Sequence, residues 1–147
     1  MDYFIEYKAT QKDQFVDSLK KEEVIEAENI LNRLLSKSIS YYDNQESFYH
    51  GFLLGLLDNY HVESNRESGE GRLDIVIYPN NLRETVIVIE CKHSIMQKDL
   101  IEDSQKGANQ IKDKKYLEGI LSKGYLKVVG YGIAFYKKQC YITKQSH

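Results

Sequence analysis

Two short strings place charged side chains where apolar neighbours would bury them. Val86-Ile87-Val88-Ile89 runs directly into Glu90-Cys91-Lys92, and Leu73-Asp74-Ile75-Val76-Ile77 sets an acid inside a second apolar run. With the two-residue period of a strand, Glu90 and Lys92 share a face with Val86 and Val88, while Ile87, Ile89 and Cys91 point the other way. Burying an ion is costly unless it is paired or bound to a metal. If the two strands are neighbours, Asp74 and Glu90 meet, and two close carboxylates favour a cation between them. Oxygen ligands without a thiolate select Mg²⁺ or Mn²⁺ over zinc. The plainer alternative is that Glu90 and Lys92 lie past the buried end of the strand and pair with each other at its rim. An E-x-K string is too short to decide between these readings.

These residues need a sheet to hold them, and the periodicity supplies one. Residues 73–78 alternate as a strand, Pro79-Asn80-Asn81 breaks the chain, and residues 85–92 form a strand apolar on both faces, as a central strand is. The polar stretch 64–71, with two Gly, reads as a strand end and hairpin turn. Upstream, the first 40 residues read as helix: Val24, Ala27, Leu31, Leu34, Leu35 and Ile39 fall at helical spacing, with Phe15 and Leu19 forming an earlier turn or two. Asp43 caps a further helix, with Glu46 three positions on as in a capping box, and Phe52, Leu53, Leu56 and Leu57 make its apolar face. Gly51 and Gly55, four apart, suggest close packing against another element.

Downstream, residues 97–123 read as one long helix or two shorter ones. Ala108, Ile111, Leu117, Ile120 and Leu121 are its inward candidates, and Gly124 is its stop. Residues 126–136 and 140–143 form a last strand pair around a turn at 137–139. The order is helices, three strands, helix, two strands: an α/β domain with a mixed sheet of about five strands.

Composition bounds the rest. The chain has 147 residues, 41% of them hydrophobic and 29% charged, which favours one globular domain over a disordered chain. No apolar stretch approaches the roughly 20 residues that span a bilayer. No signal peptide is expected, and two cysteines in a chain of this length suit a reducing, cytoplasmic setting. The net charge of −2 hides an asymmetry. Residues 1–60 carry 6 basic and 11 acidic side chains, residues 61–104 carry 5 and 9, and residues 105–147 carry 9 and 2. The basic last third suits a polyanionic partner, or is a solvated lysine-rich surface.

The run Glu63-Ser64-Asn65-Arg66-Glu67-Ser68-Gly69-Glu70-Gly71-Arg72-Leu73-Asp74-Ile75 is far more specific than E-x-K. Together with Val88-Ile89-Glu90-Cys91-Lys92, with Ala108-Asn109-Gln110-Ile111, Lys114 and Tyr116, and with Glu46-Ser47-Phe48-Tyr49-His50-Gly51-Phe52, it resembles the PD-(D/E)XK nuclease superfamily. The nearer likeness is to its bacterial branch commonly found behind an AAA-ATPase-like domain. The resemblance spans about residues 43–145. It departs at Leu73, where the superfamily's name has Pro. No Gly-rich P-loop string is present, so the chain reads as a stand-alone version or an excised C-terminal piece.

The resemblance implies a restriction-endonuclease-like core over residues 43–147, preceded by a helical extension over residues 1–42. It implies Asp74 and Glu90 as metal-binding carboxylates for Mg²⁺ or Mn²⁺, with the Cys91 backbone carbonyl as a further ligand. Lys92 would position or polarise the attacking water. Glu46 would be an auxiliary acid, and Gln110 and Tyr116 would support the site or touch substrate. Arg66, Arg72 and Lys114 are candidates for gripping phosphates, although Arg66 and Arg72 can equally brace the acids around them. His50, one turn from Glu46, is on the same helix face.

The expected activity is metal-dependent hydrolysis of phosphodiester bonds in nucleic acid, DNA ahead of RNA, by endo- or exonucleolytic cutting. The alternative is a non-cleaving nucleic-acid- or protein-binding module acting with an ATPase-like partner. The helices of residues 10–40 offer a surface for a homodimer or for a missing domain.

Overall fold

The computed structural model describes residues 2–38, 45–67, 72–113 and 116–145. Three helices come first: α1 (Asp2–Lys20), α2 (Val24–Ser38) and α3 (Glu46–Leu56). Three strands follow: β1 (His61–Glu67), β2 (Arg72–Tyr78) and β3 (Thr85–His93). A short 3₁₀ turn at Gln97–Asp99 leads into α4 (Leu100–Asp113) and α5 (Tyr116–Ser122), and β4 (Lys127–Tyr136) and β5 (Gln139–Lys144) complete the order. The strands form one sheet in sequence order, antiparallel except for the parallel pair β3–β4. That parallel step needs a long crossover, which α4 and α5 provide.

Each face of the sheet has its own cover. Leu73, Ile75 and Ile77 of β2, Ile87, Ile89 and Cys91 of β3, and Tyr131, Ile133 and Phe135 of β4 join one core cluster. Helices α1, α2 and α3 seal it with Phe15, Leu19, Ile30, Leu31, Tyr49 and Leu53. On the other face, Val76, Tyr78, Val86 and Val88 pack against Ile111 of α4 and Ile120 of α5. The alternation within residues 73–78 and 85–92 is therefore the alternation between two buried layers.

Helix α4 lies unusually close to β4. A Cβ on Gly132 would collide with the Ser104 carbonyl and the Ala108 amide, and one on Gly107 would lie 3.3 Å from the Glu90 carbonyl oxygen. Glycine at these two positions lets the helix backbone rest on the sheet beside Glu90. The Ser104 and Thr143 hydroxyls, 2.6 Å apart, tie the same helix to β5.

Helix α1 covers 19 residues, in keeping with the helical reading of the first 40 residues. Three expectations need correction. The third helix begins at Glu46, with Gln45 as its N-cap and no side-chain cap bond. Glu46 is thus the first helical residue rather than the third position of a capping box, and Asp43 lies outside the described residues. Gly51 and Gly55 make no close approach, since a Cβ on either would meet open space. The helix turns Tyr49, His50, Leu53 and Leu56 inward and leaves both glycines on its exposed side. Finally, Leu117 and Leu121 are exposed, because the short helix α5 meets the sheet through Ile120.

Candidate active site

The sheet brings the two candidate carboxylates together. Asp74 of β2 pairs directly with Glu90 of β3 in antiparallel register, and both are buried, at 2% and 0% exposure. Directly opposed residues of such a pair hold their Cβ atoms about 5 Å apart. On β1 the residue opposite Asp74 is Asn65, and on β4 the residue beside Glu90 is Gly132. One row of the sheet thus reads Asn65, Asp74, Glu90, Gly132, with the α4 backbone over its last two members. Lys92 lies two residues beyond Glu90 on the same face and is half-buried.

Opposed like charges repel, and burial raises the cost of keeping both ionised. The donor set is hard: carboxylate oxygens, with an ammonium group on the same strand face. Cys91 does not add a thiolate, because its side chain enters the opposite core. Burial pushes the thiol pKa well up, and the negative charges of Glu90 and Asp74 push it further, so it stays protonated. A role for Cys91 at this site falls to its backbone carbonyl.

Glu46 belongs to a different grouping. Its Oε1 is 3.9 Å from Nε2 of buried His50, one helical turn on. His93, at the end of β3, packs its ring 5.3 Å from that of Tyr49, which in turn stacks on Phe135 at 4.9 Å. The Tyr49 hydroxyl donates to the Lys137 carbonyl oxygen at 2.8 Å, fixing α3 against the β4–β5 turn. Burial pulls the His93 pKa below its ordinary value and outweighs the opposing pull of the Glu46 charge. Among the described residues, no group of three or more His, Cys, Asp or Glu side chains could hold a metal ion together. Asp74 and Glu90 are the carboxylates that the register sets directly opposite each other.

Gln110 stands one turn beyond Gly107 on α4, and its buried Oε1 has no hydrogen-bond partner among the described residues. Arg66 pairs through its backbone with Leu73, and Arg72 with Glu67. Tyr116 opens α5. The side chains of these three lie outside the described residues, as does the whole of Lys114.

A family model of the PD-(D/E)XK nuclease superfamily matches residues 44–145. The chain belongs to that superfamily. No curated protein and no solved structure gives a significant match. The five-stranded mixed sheet with helices on both faces is the restriction-endonuclease-like α/β fold expected of a superfamily member. No helix among the described residues is long and apolar enough to cross a membrane.

The structure also shows residues to which the sequence assigned no role. A cavity of about 290 Å³ opens beside Asp74, between β1 and α5. Its wall carries a linked trio: the Tyr78 hydroxyl donates to Glu63 Oε2 at 3.2 Å, and Lys123 Nζ donates to the same hydroxyl at 3.1 Å. Lys123 Nζ is also 3.7 Å from Glu63 Oε1 and 4.8 Å above the Tyr78 ring. In the sequence, Glu63 and Lys123 stand 60 positions apart, and no local pattern links them.

Proposed function

We propose that this chain is a metal-dependent nuclease that hydrolyses phosphodiester bonds, with DNA ahead of RNA as substrate. The observation that carries this reading is the buried, directly opposed pair Asp74 and Glu90, with Lys92 on the same strand face, in a member of a nuclease superfamily.

The residues fit a divalent ion. Two opposed carboxylates supply hard oxygen ligands and relieve their mutual repulsion on a cation, so Asp74 and Glu90 would hold Mg²⁺ or Mn²⁺, with the Cys91 carbonyl beside them. Such an ion, when bound, would supply charge neutralisation at the phosphate and a lowered pKa for water. Lys92 contributes a point charge where negative charge develops on the phosphate, and it orients the attacking water by hydrogen bonding. Gln110, through its buried amide, orients groups on the α4 side. Glu46, at the start of α3, would be an auxiliary acid that acts on the ion through water. Nucleic acid is the partner this reading requires, and an ATPase-like domain is the companion that the sequence likeness suggests.

The test is a cleavage assay on plasmid, linear duplex, single-stranded DNA and RNA with Mg²⁺, Mn²⁺ or EDTA, run beside Lys92→Ala. Cutting that needs the metal and disappears in the variant supports the nuclease. Undiminished cutting by folded Lys92→Ala sinks this assignment of the site.

A further inference from the structure

The cavity beside Asp74 has the size and lining of a site for one flat, partly polar group. At about 290 Å³ it matches the lower end of small-ligand pockets and cannot take a duplex. Val76 and Ile120, both buried, give it an apolar floor, and Tyr78 closes one side. Asn65, on the same sheet face as Asp74, brings an amide that can donate and accept.

We propose that this cavity receives a nucleobase next to the scissile phosphate. The substrate is then a strand whose bases are unstacked at the cut, namely a single strand or flap rather than continuous duplex. The inference rests on the nuclease reading of Asp74, Glu90 and Lys92. An apolar floor accepts the face of a base, and a polar rim accepts its edge, which is how unstacked bases are held elsewhere. A phosphate suits the cavity poorly, because the carboxylates of Glu63 and Asp74 both line it. Asp74 is common to the cavity and the carboxylate pair, so an occupying base belongs to a nucleotide adjacent to the one being cut.

The cavity wall is held in place rather than free to collapse. Tyr78 is fixed by its bonds to Glu63 and Lys123 and by ring contacts with His61 at 5.3 Å and Tyr125 at 5.4 Å. Gly119 of α5 also lines the space, and a Cβ there would meet nothing within 4 Å. Gly119→Phe therefore adds bulk at the rim of the cavity without a backbone clash, and loss of a helical glycine favours the helix.

The experiment compares binding of a labelled single strand with its duplex, by fluorescence anisotropy. It uses the full chain as Lys92→Ala, with and without Gly119→Phe, beside a cleavage assay of the unmodified chain. The expected result is single-strand binding about tenfold tighter than duplex, lost on adding Gly119→Phe. A single strand lacking the base beside the cut should lose the same factor. Equal or tighter duplex binding overturns the proposal, as does unchanged single-strand binding in folded Gly119→Phe, or no nucleic-acid binding at all. Failure to cleave alongside an intact, plug-sensitive strand preference would count against the nuclease reading and not against the base site.

Discussion

Asp74 and Glu90 face each other across the β2–β3 pair with almost no exposure to solvent, although both are acids. Ordinary strand pairing avoids like charges directly opposite one another. On the nuclease reading proposed above, the position would trade folding stability for a bound cation.

That trade has a measurable sign. Glu90→Gln or Asp74→Asn should raise the thermal midpoint of the metal-free protein by relieving repulsion, while lowering cleavage by at least about a hundredfold. In the unmodified chain, Mg²⁺ or Mn²⁺ should stabilise the fold by about 2.7 kcal/mol at a hundred times the dissociation constant, and so raise the midpoint. Melting curves with EDTA and with each ion check both statements. A variant less stable than the parent in EDTA would contradict the repulsion argument.

The contact of α4 with β4 predicts a second effect. Gly132→Ala places a methyl group where the Ser104 carbonyl and the Ala108 amide already stand. The helix must lift, at a cost of about 1–3 kcal/mol, and because it lifts beside Glu90, activity should fall as well. Urea unfolding with an unchanged m-value would report the first, and cleavage by the folded fraction the second.

His93 predicts a pH dependence. Its pKa is lowered in the folded protein, so between that value and the ordinary 6.5 the unfolded chain binds more protons. The contribution to stability is therefore present above pH 6.5 and declines as pH falls towards the lowered value. Glu46→Gln removes the charge that opposes the shift, so the decline should still begin near pH 6.5 but extend further to lower pH. Thermal midpoints recorded every half unit from about pH 7.5 to pH 5 would show it. Coincident profiles for the two proteins would dissociate Glu46 from His93.

Much of this was legible in the chain. Alternation in residues 73–78 and 85–92 reported two buried layers, and the acids that interrupt it, Asp74 and Glu90, are the pair that the sheet sets opposite each other. Burial, however, follows three-dimensional neighbours. The spacing of Gly51 and Gly55 resembled a packing stripe, yet both face outward, because Tyr49, His50 and Leu53 decide which side of α3 is buried. Leu117 and Leu121 looked inward by period, but a seven-residue helix has one line of contact, and Ile120 occupies it. The Glu63–Tyr78–Lys123 trio exists only after β1 and α5 are placed beside each other.

The two edges of the sheet are finished differently. At β5, the amide of Cys140 donates to Asn32 Oδ1 at 2.8 Å and that of Ile142 to Glu28 Oε1 at 2.9 Å. Asn32→Ala leaves a buried donor without its acceptor and should cost about 1–3 kcal/mol in urea unfolding, with little effect on cleavage. A larger loss of activity than of stability would assign Asn32 a second role.

Those two side chains also govern how copies of the chain can add to one another. Edge-to-edge growth into a fibre needs two unlike open edges, one to give and one to receive. Helix α2 stoppers β5, so among the described residues β1, which pairs only with β2, is the border of the sheet without such a stopper. Association along that border joins like to like, and a like-to-like joint closes on two copies and goes no further.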